Sequence, residues 1–226
     1  MYPVQTGNRL VLRSKLEHLS VEEFANTITH GFGLLLSVIG FIVLIALAVS
    51  HGGTMTIVSS VVYGVSLIVL YAASTAYHST ASIDLKRRLQ IVDHCCIYLL
   101  IAGSYTPFAL VIFEDTLGKN LLILIWIFAA VGVGLKLLLR NRFTVLSVVS
   151  YLVMGWIGAA GVRPLFESLG FAATALAVTG GLAYTLGVVF FAWQRLPHNH
   201  AIFHVFVLTG SVLHYLAVVI YVVPAG

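Results

Sequence analysis

Charge is what this 226-residue chain has least of: eight Asp and Glu and twelve Lys and Arg make up 9% of it, where a soluble domain carries about a quarter. That shortage excludes a water-soluble globular domain. With 60% hydrophobic residues and a mean hydropathy of +1.03, the composition is that of a multi-span membrane protein. Cysteine is nearly absent as well. Cys95 and Cys96 are sequence neighbours, which excludes a disulfide framework of the secreted kind and leaves two small buried apolar residues. No basic stripe exists either: the net charge of +4 is spread in short groups between apolar runs, so nucleic acid is not an expected partner. Low-complexity tracts and convincing internal repeats are missing too, and the whole chain, 1–226, reads as one membrane domain. Residues 1–25 are polar and the first apolar run is long enough to span, so a cleavable signal peptide is not expected.

What the chain does have is long apolar runs. The leader carries Arg9, Arg13 and Lys15, then Ser20 followed by Val21, Glu22 and Glu23, which predicts a short interfacial helix capped by Ser20. Spans are predicted over about 28–50, 56–77, 91–113, 120–139, 143–161, 170–193 and 200–223, each near the ~20 residues a bilayer requires. Turns punctuate them at His51-Gly52-Gly53, Glu114-Asp115, Arg140-Asn141-Arg142, Arg163-Pro164 and Arg195-Leu196-Pro197. The expected fold is an all-α bundle of seven transmembrane helices. With a cytoplasmic N-terminus, the inner side holds Arg9, Arg13, Lys15, Lys86, Arg87, Arg88, Lys136, Arg140, Arg142 and Arg195, and the outer side only Lys119 and Arg163. That asymmetry predicts N-terminus in and C-terminus out.

Orientation turns scattered polar residues into one group. His200 and His204 stand four apart, on one face of the last helix, as paired metal ligands on a helix do. His78 closes the second span and Asp93 opens the third, at the same cytoplasmic level. Ser74, four before His78, shares its face; alone it would be as readily a hydroxyl bonded to the carbonyl one turn back. Asp93 alone could be an interfacial partner of Arg87 or Arg88, and the histidines alone could be wetted interfacial groups. Their convergence favours a site, because ionisable residues inside a membrane are by default functional. Three His are neutral nitrogen donors of the kind that bind zinc with an open position, and a nearby carboxylate can orient a water there. Glu23, Asn26 and His30, where the first span enters, are candidates to orient the ligands, with helix capping as the plainer alternative. His214 lies off the His204 face and is expected to hydrogen-bond between helices; His94 and His198 are left outside the site. Gly31, Gly33, Gly132, Gly134, Gly155, Gly158, Gly180 and Gly181 are expected to permit close helix approach, and Pro107 to kink its span. Tyr77, Trp126 and Trp193, at span ends, are expected to pack or to anchor the interfaces.

The run Ser74-Thr75-Ala76-Tyr77-His78, then Asp93 in a stretch continuing from Ile97 to Phe108 through Gly103 and Pro107, then His200-Ala201-Ile202-Phe203-His204, resembles the haemolysin III branch of the progestin and adiponectin receptor family. The stretch Glu22-Glu23-Phe24-Ala25-Asn26-Thr27-Ile28-Thr29-His30 is similar to that family's first motif, and the resemblance covers essentially the whole chain. It implies a seven-helix bundle with a cytoplasmic N-terminus, a zinc ion held by His78, His200 and His204, Asp93 holding a water at the metal and Ser74 beside it. It also implies relatedness to membrane hydrolases, the alkaline ceramidases among them.

The combined expectation is a zinc-dependent hydrolase of a lipid amide or ester that uses a metal-activated water, with a lipid substrate or ligand entering from the bilayer and the site on the cytoplasmic side of a bacterial-type plasma membrane. A receptor or membrane-homeostasis protein with structural zinc is the first alternative. A haemolytic pore is the second, against which no span shows a continuous polar stripe.

Overall fold

The computed structural model describes residues 5–113, 116–140, 142 and 144–226, with side chains from residue 21 onward. Every element is a helix: α1 Gln5–His51, α2 Thr54–Ser79, α3 Ile83–Pro107, α4 Thr116–Leu139, α5 Thr144–Trp156, α6 Val162–Ala192 and α7 Asn199–Ala217. Among the described residues six segments are long and apolar enough to cross a membrane, namely Val21–His51, Thr54–Ser79, Ile83–Ile112, Thr116–Leu139, Thr144–Ala192 and Asn199–Ala225. The chain is therefore an all-α, multi-pass membrane protein. Apolar side chains such as Leu138, Val145 and Phe171 are 76–80% exposed, a surface that only hydrocarbon can cover.

Two expectations about segmentation change. Ser20 does not cap a helix start, because α1 runs through it; no Pro or Gly stands between Asn8 and His30 to interrupt the ladder. Spans five and six are joined: α5 passes through a 3₁₀ turn, Ile157–Gly161, directly into α6. Arg163-Pro164 does not break the chain because Pro164 sits in the first turn of α6, where its missing N–H costs no intrahelical bond. The joined segment is nevertheless not a rod. Gly170 takes φ 79° and ψ −173°, and Trp156 Nε1 donates to Thr185 Oγ1 at 3.0 Å. Twenty-nine residues of straight helix would hold those two roughly 43 Å apart, so the chain folds back on itself between them. The turn signals expected at Glu114-Asp115 and Asn141, and the expected start of span five at Phe143, lie outside the described residues, as do the side chains of Arg9, Arg13 and Lys15.

Local chemistry sets the remaining ends. Ser82 caps α3 by accepting from the Leu85 N–H, with Asp84 in the first turn. Pro107 ends α3 and the chain continues as a π-helical turn, Phe108–Ile112, with helical φ and ψ at both Pro107 and Phe108. Trp126, expected to pack or anchor at an interface, donates from Nε1 to Thr106 Oγ1 and so ties α4 to α3.

Among the described residues three apolar clusters hold the bundle, the smallest of them Phe113, Leu121 and Leu165. Leu44, Tyr63, Leu67, Tyr71, Val218 and Val222 bind α1, α2 and the C-terminal turns; Tyr98, Ala102, Ile125, Ala129 and Met154 bind α3, α4 and α5. Small residues matter where they meet rings: a Cβ on Gly132 would overlap Tyr98, and one on Gly180 would overlap His214. Gly134, Gly155 and Gly181, expected to do the same, meet nothing within 4 Å.

Candidate metal centre

The mouths of α1, α2 and α7 bring the polar residues together. His78 comes from the last turn of α2, His200 and His204 from the first two turns of α7, and one ligand-capable nitrogen from each lies within 4.8 Å of the other two. This group could hold a metal ion. A tetrahedral ion with nitrogens at ~2.0–2.1 Å sets them roughly 3.4 Å apart, which is on the same scale. The rings of His200 and His204 are 4.6 Å apart between centroids, and each is 5.0 Å from His78.

Hydrogen bonds decide which nitrogens are available. Glu23 Oε2 accepts from His78 Nδ1 at 2.8 Å and from Lys86 Nζ at 3.0 Å. With its proton on Nδ1, His78 presents a bare Nε2, which is buried and has no hydrogen-bond partner. A carboxylate behind a His in this way is the arrangement that orients metal-binding imidazoles. His204 is tied similarly. Thr29 Oγ1 gives its hydrogen to the carbonyls of Ala25 or Asn26, each at 2.9 Å, and lies 3.2 Å from His204 Nδ1, from which it accepts. The donor set therefore fits a metal on chemical grounds: three imidazoles, of the kind that suits zinc, copper, iron or nickel, with the tautomers of His78 and His204 set by their hydrogen bonds.

A second chain of bonds runs beside the first. Ser74 hydrogen-bonds to the buried Asp93, and His30 Nδ1 lies 2.6 Å from Ser74 Oγ. With the Ser74 hydroxyl donated to the carboxylate, His30 Nδ1–H donates to Ser74, and His30 Nε2 is left buried and without a partner. The Ser74 hydroxyl is thus engaged across helices rather than by the carbonyl one turn back. Among the described residues no ion pair joins Asp93 to Arg87 or Arg88. The His30 and His204 rings stack at 3.4 Å and 16°. Asn26 is buried and contributes its backbone carbonyl, while its side-chain oxygen has no partner. His214 bonds through Nε2 to the Ala177 carbonyl at 2.9 Å, from α7 to α6, away from the centre.

A cavity of ≈ 250 Å³ opens against this group. Ser74, Asp93, His200 and His204 stand in its wall, which is otherwise mostly apolar and extends to Phe113, Leu121 and Leu165. Two residues the sequence reading left out of the site, His94 and Lys136, line it too. Thr29 was also missed, although it sits beside His30 in the first motif. Lys136 carried a signal that was read for orientation alone: it is the one cation in the otherwise almost wholly apolar stretch from Asn120 to Leu139.

The profile of the family described as haemolysin-III related matches residues 19–215. The chain belongs to this family. It is 43% identical over 205 residues to Hemolysin-3 of Bacillus cereus, covering 91% of this chain and 94% of that one. It is 44% identical over 202 residues to the Hemolysin-3 homolog of Bacillus subtilis (strain 168), covering 89% and 95%. To the human monocyte to macrophage differentiation factor it is 32% identical over 205 residues, covering 87% and 83%. These likenesses place the chain in the haemolysin III branch of the progestin and adiponectin receptor family.

Proposed function

We propose that this haemolysin III family member is a zinc-dependent hydrolase that cleaves an amide or ester bond of a membrane lipid entering from the bilayer. The observation that carries the reading is the sharing of one space: the metal-competent histidines, a buried carboxylate and an apolar chamber meet at His200, His204, Asp93 and the ≈ 250 Å³ cavity. Zinc held by His78, His200 and His204 would supply a Lewis acid for the lipid carbonyl and lower the pKa of a water. The chain's own residues supply the rest. Asp93 accepts a proton at its carboxylate and returns it to the departing amine or alkoxide oxygen. Ser74, held by His30, fixes the direction of that carboxylate. Glu23 and Thr29 keep the His78 and His204 tautomers. The apolar wall from Leu100 to Leu165 receives an acyl chain.

The same reading includes the topology. The fold-back between Trp156 and Thr185 supports two passes within Thr144–Ala192, hence seven in one domain. The cationic asymmetry supports a cytoplasmic N-terminus, an outer C-terminus and a zinc site on the cytoplasmic side. The two Bacillus relatives support a bacterial plasma membrane.

The deciding experiment pairs metal content with turnover. Asp93→Asn is expected to fold, to keep its zinc by elemental mass spectrometry, and to lose at least about 10²-fold in hydrolysis of lipid amides or esters in detergent. His204→Ala is expected to lose the zinc as well. Undiminished turnover by folded, zinc-loaded Asp93→Asn protein defeats the hydrolase reading. A wild type that melts higher with zinc yet cleaves no lipid amide or ester identifies the zinc as a clamp between helices.

A further inference from the structure

The cavity has a charged residue that neither the metal centre nor the hydrolysis uses. Lys136, near the C-terminal end of α4, is only 4% exposed. Its Nζ is buried with no hydrogen-bond partner, and among the described residues no carboxylate forms an ion pair with it. It stands in the wall of the ≈ 250 Å³ cavity together with His94, whose Nδ1 is also buried and without a partner. The same lysine borders a second cavity of ≈ 280 Å³, with Arg140 in its wall.

An isolated ammonium in a membrane bundle is costly, and proteins that keep one ordinarily pair it or use it. Nothing among the described residues pairs it. The apolar remainder of the cavity indicates the shape of the missing partner. Lys136 and Leu121 both line it and lie fifteen residues apart on α4, which is roughly 22 Å of helix. That is longer than one leaflet's share, about 15 Å, of a ~30 Å hydrocarbon core. The cavity is also small, ≈ 250 Å³, just below the roughly 300–1,000 Å³ that ligand pockets span. A single acyl chain matches that shape, and an oxyanion at its end matches the ammonium.

We infer that Lys136 is an anion subsite and that the cavity binds a single-chain amphiphile ending in a carboxylate or phosphate, its headgroup on Nζ and its chain reaching toward Phe113 and Leu165. This binding needs neither the metal nor hydrolysis. A charge-assisted hydrogen bond formed away from water adds about 10- to 100-fold in affinity. Arg140 sets a second cation along the lysine's other side, an approach for a negative headgroup from the membrane surface.

The test is displacement of a fluorescent monoacylglycerol from the full chain in an uncharged detergent, with a chelator present, by oleate, lysophosphatidate, monoolein and inorganic phosphate. Wild type is expected to bind at least one of the two anionic lipids at least about tenfold more tightly than monoolein, and the pair distinguishes carboxylate from phosphate. Lys136→Met is expected to lose that preference while melting no lower than wild type, since it removes an unpaired buried charge; Lys136→Arg is expected to retain it. A preference that survives in Lys136→Met, or is absent from wild type, overturns the proposal. So does one that vanishes in His204→Ala, because the anion would then belong to the histidine cluster. Inorganic phosphate competing as well as the lipids would make the subsite one for a free anion and would refute the amphiphile.

Discussion

Glu23→Gln probes the centre most cleanly, because Glu23 touches the cluster only through His78 Nδ1 and leaves Nε2 untouched. Its Oε2 accepts from His78 Nδ1 at 2.8 Å and from Lys86 Nζ at 3.0 Å. The carboxylate keeps the imidazole proton on Nδ1 and leaves Nε2 free to bind. Removing such a partner ordinarily lowers metal affinity 10- to 100-fold. Two features of the structure put Glu23→Gln at the low end. The carboxylate side chain is 35% exposed, so solvent screens its charge, and a glutamine oxygen can still accept from Nδ1. The expected loss is about tenfold for Glu23→Gln and closer to about a hundredfold for Glu23→Ala, which offers no acceptor. The assay is competition for zinc against a chromophoric chelator of known affinity, in detergent, with melting temperatures measured alongside. Zinc binding by Glu23→Gln within about twofold of wild type would refute the tautomer argument. Binding as poor as that of His78→Ala, in protein that melts like wild type, would make Glu23 a ligand rather than a residue that positions one.

Two further outcomes follow from the packing. Ser211 Oγ lies 2.8 Å from the Tyr71 hydroxyl and 2.9 Å from that of Tyr184, joining α2, α6 and α7; Ser211→Ala leaves two buried hydroxyls unpaired and is expected to cost about 1–3 kcal/mol, read as a lower melting temperature in detergent, with an unchanged melt counting against the network. Single cysteines at Arg142 and Ser168, with Cys95 and Cys96 replaced by alanine, are expected to label from opposite sides of the membrane with an impermeant maleimide; labelling from one side would mean that Thr144–Ala192 does not cross twice.

Much of the candidate centre was legible because membranes make polar residues conspicuous. His78, His200 and His204 stand out as imidazoles at span ends, and the i,i+4 spacing alone puts two of them on one face. Their assembly into one cluster needed only the in-and-out alternation of spans. What escaped was whatever has an ordinary second explanation. Thr29 bonds to carbonyls of its own helix, as membrane threonines do, and the same oxygen accepts from His204 across 175 residues of chain. Lys136 counted as a cytoplasmic cation by the sign of its charge, although its Nζ faces inward. Segment ends failed for a similar reason: Arg163-Pro164 has the composition of a break, but proline is tolerated in a helix's first turn, and the real break is the conformation of Gly170.

His30 settles how the two polar chains divide the work. Its Nε2 is buried and bare, which by itself would make it a fourth donor. Geometry argues otherwise. An imidazole lone pair lies in the plane of its ring, and the His30 and His204 rings are nearly parallel, 16° apart, with centroids separated by 3.4 Å. Two stacked rings cannot direct in-plane lone pairs at a common point between them. His204 is already paired with His78 and His200, so His30 is the ring that points elsewhere. Its other nitrogen holds Ser74, and Ser74 holds Asp93. A protein needing only a metal clamp between α2 and α7 would gain nothing from that second chain, because it carries a buried imidazole with one nitrogen unpaired at a cost of about 1–3 kcal/mol. The cost makes sense if the position of the Asp93 carboxylate matters to what the centre does, and that favours chemistry over scaffolding at this site.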